Sequence, residues 1–491
     1  MMTSNLVWLT PLVPLFVGVS MLVLRGRRVL AALDVGGSLA VLGMVVAIAR
    51  KVAATGPVGA LDAFRADEVA VLFLLLIGLL AVAVSVATVG WMRQELVRGH
   101  MRADRLRYYY ALVHGFIATM LVTVLADNLG ILWIAMEGTT ITSALLVGFH
   151  GDKQGLEAAW KYIIVTTIGI SFGLFGTVLV YGAAVHAQGG VFTGAMNYSS
   201  IAAIAPKLDP GIIRIAFIFV VVGYGTKAGL APVHMWLPDA HSQAPTPVSA
   251  LLSGALIKCA LFGIIRFHTL ARAACGADFS QGLLLIFGLI SVVVATPFII
   301  VQHDLKRLLG YHSVEHVGII ALGLGFGGKL GTYGALLHVI NHGVTKALVF
   351  LIAGDAIGRY GTRDMRLMRG FLGIAPWAGA LLLMAAFSLA GTPPFSIFIS
   401  ELIILRAGLG AGHTVMVAIF LAMVVVIFAG LIHHVGQMVF GDADNAADRG
   451  REACLPLFGS MLLALVMVWL GVTMPLHLDR VLARATEIIL G

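Results

Sequence analysis

The 491-residue chain is 59% hydrophobic and 11% charged, with a formal net charge of +8. Soluble domains carry about 25% charged residues, so a large soluble core is excluded. The apolar runs are continuous for about 20 residues rather than alternating, which excludes a β-barrel and predicts an all-α polytopic membrane protein. The basic residues cluster between apolar runs, which reads as an orientation signal and not as nucleic-acid binding. Cys259, Cys275 and Cys454 match no metal or redox spacing and are expected to be packing residues.

The length criterion predicts about 14 transmembrane helices. Residues 1–107 hold the first three, at 4–24, 29–49 and 68–90. The first follows an uncharged MMTSN without a cleavage site, so a retained helix is expected rather than a signal peptide. Residues 108–270 hold helices 4 to 8, at 108–126, 128–149, 160–184, 211–231 and 246–270. Residues 281–437 hold helices 9 to 13, at 281–301, 311–327, 331–354, 371–392 running into 394–408, and 413–437. Residues 455–491 hold the final helix, at 455–475, and a short tail. Helix 7 is broken by Gly229 and Pro232, and helix 12, five spans later, by Pro393 and Pro394. The polar sixth span has its counterpart in the eleventh. Units of five spans have opposite topology, so two inverted five-helix repeats are expected.

Charge alternates between loops. Arg25, Arg27 and Arg28 follow the first span, Arg93 to Arg107 the third, and Lys153 the fifth. Lys306 and Arg307 follow the ninth, Arg359 to Arg369 the eleventh, and Arg449 and Arg451 the thirteenth. All lie on one side, which the positive-inside rule makes cytoplasmic. A multi-pass protein of the bacterial inner membrane with both termini periplasmic is expected.

Ionisable residues inside the spans carry the functional argument. A lysine at membrane depth costs roughly 2.5–3.5 kcal/mol, so it is rarely incidental. Glu137 sits mid-span in LWIAMEGTT, and Lys227, beside the break in helix 7, is its natural partner. A structural ion pair is the plain alternative. Lys161, in WKYII, is close to a helix start, where a relay and snorkelling weigh evenly. Lys258 is central in its span, with Lys227 as its nearest expected cation neighbour. Separation of the Glu137–Lys227 pair would then favour proton loss from Lys258 by like-charge repulsion. His338, His342 and Lys346 recur at i, i+4 and i+8, which predicts a proton wire along one face of helix 11. His312, Glu315 and His316 form H-x-x-E-H, a short inverted zinc-hydrolase signature without an evident third ligand. His316, deeper in, reads better as a relay. Glu401 follows the second break as the acidic counterpart of Lys227.

These residues together resemble the antiporter-like membrane subunits shared by respiratory complex I, membrane-bound hydrogenases and multisubunit cation/proton antiporters. The likeness covers roughly 68–440 and rests on LWIAMEGTT, KAGLAPVHMWLPDAH at 227–241, SGALIKCALFGIIRF at 253–267, HGVTKALVFLIAGD at 342–355 and LAGTPPFSIFISE at 389–401. The resemblance implies that Glu137 pairs with Lys227, that Lys258 is central, and that Glu401 closes a half-channel. WKYIIVTTIGI at 160–170 and the chain length are most similar to component F of hydrogenase-4 and formate hydrogenlyase complexes. Two features depart from the distal complex I subunit: Gly491 follows soon after the last span, leaving no long lateral helix, and Glu401 stands where a lysine would.

The resulting expectation is a proton-translocating or Na⁺-translocating subunit of a group 4 membrane-bound hydrogenase or formate hydrogenlyase-type complex. It would carry no cofactor itself. Partners would be other membrane subunits, membrane lipid and a peripheral cytoplasmic redox module holding iron–sulfur clusters and a nickel–iron centre. The alternatives are a subunit of a stand-alone cation/proton antiporter or of a complex I-type NADH dehydrogenase, and, from another class, an intramembrane zinc hydrolase.

Overall fold

The computed structural model describes residues 4–190, 194, 196–442, 447–450, 452 and 454–491; Arg451 of the charge pattern lies outside them. The principal helices are α1 (Asn5–Val23), α2 (Arg27–Thr55), α3 (Glu68–Val97), α4 (Leu106–Leu125), α5 (Leu129–Val147), α6 (Lys153–Ala187) and α7 (Pro210–Ala228). They continue with α8 (Thr246–Cys275), α9 (Ala277–Val301), α10 (Leu305–Phe326), α11 (Gly328–Tyr360), α12 (Pro376–Leu389), α13 (Ser396–Gly410), α14 (Thr414–Val439), α15 (Cys454–Val472) and α16 (Leu476–Leu490). A small antiparallel hairpin, β1 (Val58–Ala60) with β2 (Phe64–Ala66), joins α2 to α3.

Among the described residues, eleven helices are long and apolar enough to cross a membrane, or twelve if the bent pair of α15 and α16 counts as one span. The other two of the fourteen expected positions hold helices outside that measure. One is α10, which carries Lys306, His312, Glu315 and His316. The other is the broken twelfth position, where α12 and α13 are each too short to span alone.

Local chemistry sets the helix starts. Asn128 accepts from the backbone N–H groups of Gly130 and Ile131 at the head of α5, and Asp209 caps α7 ahead of Pro210. Asp304 caps α10 in the same way. Such caps satisfy N–H groups that lipid cannot.

Packing then sorts the helices. In α8 and α11 the most apolar stretches are wholly enclosed by protein, whereas α14 is mostly uncovered and α1 and α2 are two-thirds uncovered. In lipid, apolar burial does not drive helix association, so small residues that allow close approach matter more. A Cβ at Gly254 of α8 would lie 3.1 Å from the Gly343 carbonyl oxygen of α11, and one at Gly343 would lie 2.9 Å from the Gly254 carbonyl oxygen. Side chains at either position would push apart the two innermost helices, which carry Lys258 and the His338–Lys346 stripe.

Candidate functional site: a buried polar row

The first cluster lies where α5, α6 and α7 meet. Lys227 occupies the last turn of α7, which Gly229 ends in the left-handed conformation, φ 85°. Its ammonium donates to Thr140 Oγ1 at 2.7 Å and Tyr162 OH at 2.6 Å, and lies 4.6 Å from the Tyr162 ring centroid. Tyr162 OH in turn meets Ser143 Oγ at 2.7 Å. Glu137 is half-buried, one turn before Thr140, with Oε1 buried and unpartnered. The expected Glu137–Lys227 ion pair is not formed: no carboxylate oxygen of Glu137 lies within 4.0 Å of the ammonium, although the Lys227 charge still acts on Glu137. Two hydroxyls take the place of the acid. An ammonium has three donors, so one remains for a further partner.

The second cluster is on α8. A π-helical turn, Leu252–Leu256, precedes Lys258. Such turns leave carbonyls without their usual partner. The Ser253 carbonyl accepts from Lys258 Nζ at 2.5 Å, and Ser253 Oγ bonds Ser313 Oγ of α10 at 2.8 Å. The cation whose field reaches Lys258 is Lys346, not Lys227 as expected. The close crossing of α8 and α11 at Gly254 and Gly343 is the physical reason.

The third cluster joins α10, α11 and α13. His316 Nδ1 lies 3.0 Å from His338 Nε2, and His338 Nδ1 lies 3.0 Å from Ser400 Oγ. Asn341 Nδ2 donates to the Ser396 carbonyl at 2.6 Å and to Ser400 Oγ at 3.2 Å, fixing α13 against α11. The stripe on α11 does not run straight. The His338 and His342 ring centroids are 6.1 Å apart, and His316 of the neighbouring helix approaches both, at 5.1 and 4.5 Å. Both ring nitrogens of His342 are unpartnered, and Lys346 donates instead to the Leu309 carbonyl at 2.7 Å. Glu401 is 6% exposed and its carboxylate occupies the space left by Gly391, where φ is 65°. A side chain at Gly391 would displace it.

Lys161 stands apart. It is half-exposed on α6, 2.7 Å from Glu157 and 3.6 Å from Asp239, and is not joined to the buried row. Helix α6 begins at Lys153, about two turns before Lys161, and the outward face on which Lys161 stands explains this.

Sequence reasoning missed the neutral partners Thr140, Tyr162, Ser400 and Asn341. Their only signal is polarity within apolar runs. It also treated Lys306 as a topological marker alone. Lys306 is 3% exposed and donates to the Ala244 carbonyl at 2.5 Å. It lines a cavity of about 870 Å³ with Glu95, His100, His150, Arg359 and Arg363, at the end of the bundle that carries the arginine-rich loops.

Among the described residues, two triads bring possible metal-ligand atoms within 4.8 Å of one another: His312, Glu315 and His316, and His316, His338 and Glu401. The third donor that the sequence did not offer is thus present in space. A zinc hydrolase also needs an open coordination position reached by water and substrate. These five side chains are 0–6% exposed, and His316 and His338 already bond each other. The arrangement lacks the open position that hydrolysis requires.

A profile of the family described as NADH:quinone oxidoreductase/Mrp antiporter, transmembrane, matches residues 126–427. The chain is 33% identical over 402 residues to a hydrogenase-4 component F homolog of Methylacidiphilum infernorum, covering 82% of this chain and 84% of that protein. Its fold matches a subunit of the membrane-bound sulfane sulfur reductase, an archaeal respiratory membrane complex, with TM-score 0.86, 23% identity and coverage of 100% and 98%. It also matches a chain of the Mrp complex from Dietzia sp. with TM-score 0.84, 21% identity and full coverage of both. The chain belongs to the NADH:quinone oxidoreductase/Mrp antiporter transmembrane family. It is a membrane antiporter-like subunit of the hydrogenase, complex I and Mrp type.

Proposed function

We propose that this chain translocates protons, or Na⁺, as a subunit of a group 4 membrane-bound hydrogenase of the formate hydrogenlyase type. The observation that carries the transport reading is the buried row itself. Lys227, Lys258 and Lys346 are each 0–1% exposed and each held by neutral oxygen acceptors, not by a carboxylate. An ammonium held by neutral oxygens can give up or regain its proton without stranding a charged partner. The hydrogenase reading rests on the component F homolog, which the chain matches over most of both lengths.

In this proposal ions enter at the 870 Å³ cavity and Lys306. They pass Lys346 and Lys258 to His316 and His338, with His342 alongside, and leave past Ser400 and Glu401. Glu137 and Lys227 form a second station, in which the ammonium exchanges its hydroxyl partners for the carboxylate. Gaps beyond hydrogen-bond reach are bridged by water. We read residues 108–270 and 281–437 as two inverted units, supported by the left-handed glycines, Gly229 and Gly391, that open both helix breaks. The arginine-rich face is cytoplasmic and both termini periplasmic. Redox cofactors, iron–sulfur clusters and a nickel–iron centre, belong to partner subunits docked on that face.

A stand-alone antiporter is the second reading, favoured by the full-length fold match to the Mrp chain. Purification of the intact complex decides between them. A copurifying nickel–iron and iron–sulfur module supports the hydrogenase reading; a complex of membrane subunits alone overturns it. Proton uptake by vesicles, normalised to assembled complex, tests the row: undiminished uptake in Lys258→Met would sink it.

A further inference from the structure

On the face opposite the arginine-rich loops, α2, α3, α15 and α16 enclose a groove of about 670 Å³. Val46 of α2, Leu72 and Leu79 of α3 and Leu470 of α15 make its walls apolar, and Ile340 of α11 lies in its floor. Leu72 to Leu79 spans about 10 Å of helix, so the groove runs well into the hydrocarbon layer. Its rim is net cationic: Arg50, Arg480 and Arg484 line it together with one carboxylate, Glu68.

These arginines are not used by the fold in equal measure. Arg484 lies 3.7 Å from Glu68 and donates to the Ala53 carbonyl at 3.3 Å. Arg50 and Arg480 are exposed and form neither an ion pair nor a hydrogen bond among the described residues. The rim also sits at interface depth. Helix α16 turns 74° away from α15, buries Leu482, Ala485 and Ile489, and exposes Arg480 and Arg484, as a helix lying in the membrane plane does. Trp469, 56% exposed at the end of α15, marks the same level.

We propose that this groove is a binding site for an anionic phospholipid, with one acyl chain between α2, α3 and α15 and the phosphate at Arg50 and Arg480. The aliphatic walls of α2, α3 and α15 suit an acyl chain. The charge favours an anionic headgroup over a zwitterionic one, since each arginine near a membrane surface contributes an attraction worth about fivefold in affinity. The site is independent of the transport reading. It borders the helices of the buried row at Ile340, which lies between His338 and His342 in sequence, and at Leu76, which packs near Gly343.

The test uses the purified complex in mild detergent, exchanged into phosphatidylglycerol or phosphatidylcholine of matched chains, with bound lipid counted by native mass spectrometry. Wild type is expected to retain one phosphatidylglycerol and to lose phosphatidylcholine. The Arg50→Gln/Arg480→Gln variant is expected to bind phosphatidylglycerol about 25-fold more weakly, and both positions are exposed, so folding should survive. Leu79→Trp, which fills the slot with the arginines intact, should also expel the lipid. Equal retention of the two lipids by wild type, or unchanged phosphatidylglycerol binding in the double glutamine variant, overturns the proposal. So does a cross-link from position 480 to a neighbouring subunit in the native membrane, which would make the groove a protein interface.

Discussion

Helix α8 carries two buried cations eight residues apart, and they are held in opposite ways. Arg266, 4% exposed, makes a bidentate pair with Asp67 at 2.6 and 2.8 Å and lies over the rings of Tyr198 and Phe262. Asp67 also caps α3 through the Ala70 N–H at 2.9 Å. Lys258, 1% exposed, has only a backbone carbonyl. The same contrast holds across the molecule. Asp34 of α2 and His114 of α4 are paired at 3.1 Å outside the family match, whereas the lysines of the row have no acid in contact. A buried charge with a fixed counterion anchors helices. One held by neutral groups can change its charge without leaving an uncompensated partner. Planar, permanently charged arginine suits the first task and titratable lysine the second.

The largest expected effect tests the anchor. Asp67→Ala should lower stability by about 3–5 kcal/mol, because it strands the buried guanidinium. Replacing both partners, as Asp67→Leu with Arg266→Met, should recover most of that loss in thermal unfolding of the solubilised complex. A single variant that melts like wild type would remove the distinction between the two cations.

Next comes the row. Lys258→Met should reduce proton uptake by at least about tenfold, a loss of proton-relay size, with unfolding temperature kept or raised. Loss of assembly instead would place Lys258 among the anchors.

Within the row, hydrogen bonding ranks the histidines. His338→Leu, which removes two bonds of 3.0 Å, should impair uptake more than His342→Leu, which removes none. Equal loss would restore a straight wire along α11.

Lys161→Ala should leave stability within about 0.5 kcal/mol and uptake unchanged, as expected for an exposed pair.

The smallest effect is a pH dependence outside the membrane. Arg366 beside Asp364 holds its carboxyl down, from 3.8 to about 2. A depressed folded-state value contributes stability that is present above pH ~4 and lost as pH falls toward 2. Asp364→Asn should flatten that acid limb in a melting series from pH 5 to pH 2. An unaltered slope would show that Asp364 makes no such contribution.

The long apolar runs made the helical membrane architecture legible, and the motif from Lys227 to His241 made the family legible. The breaks at Gly229 and Pro393 were visible for the same reason: few residues interrupt a helix, and these do so by backbone geometry alone. The ionisable candidates stood out because charge inside an apolar run is rare. Their partners did not, since Thr140, Tyr162, Ser400 and the freed Ser253 carbonyl look like ordinary residues in sequence. Lys161 was drawn in by its type alone, and only its exposure sets it apart.

The sequence by itself determined which segments enter the membrane, because transfer into lipid depends on local composition and length. It also determined which residues bear charge there. Only the tertiary structure decided which charges are neighbours. That choice depends on where helices distant in sequence cross, as at Gly254 and Gly343, where Lys346 of α11 rather than Lys227 of α7 brings its field to Lys258.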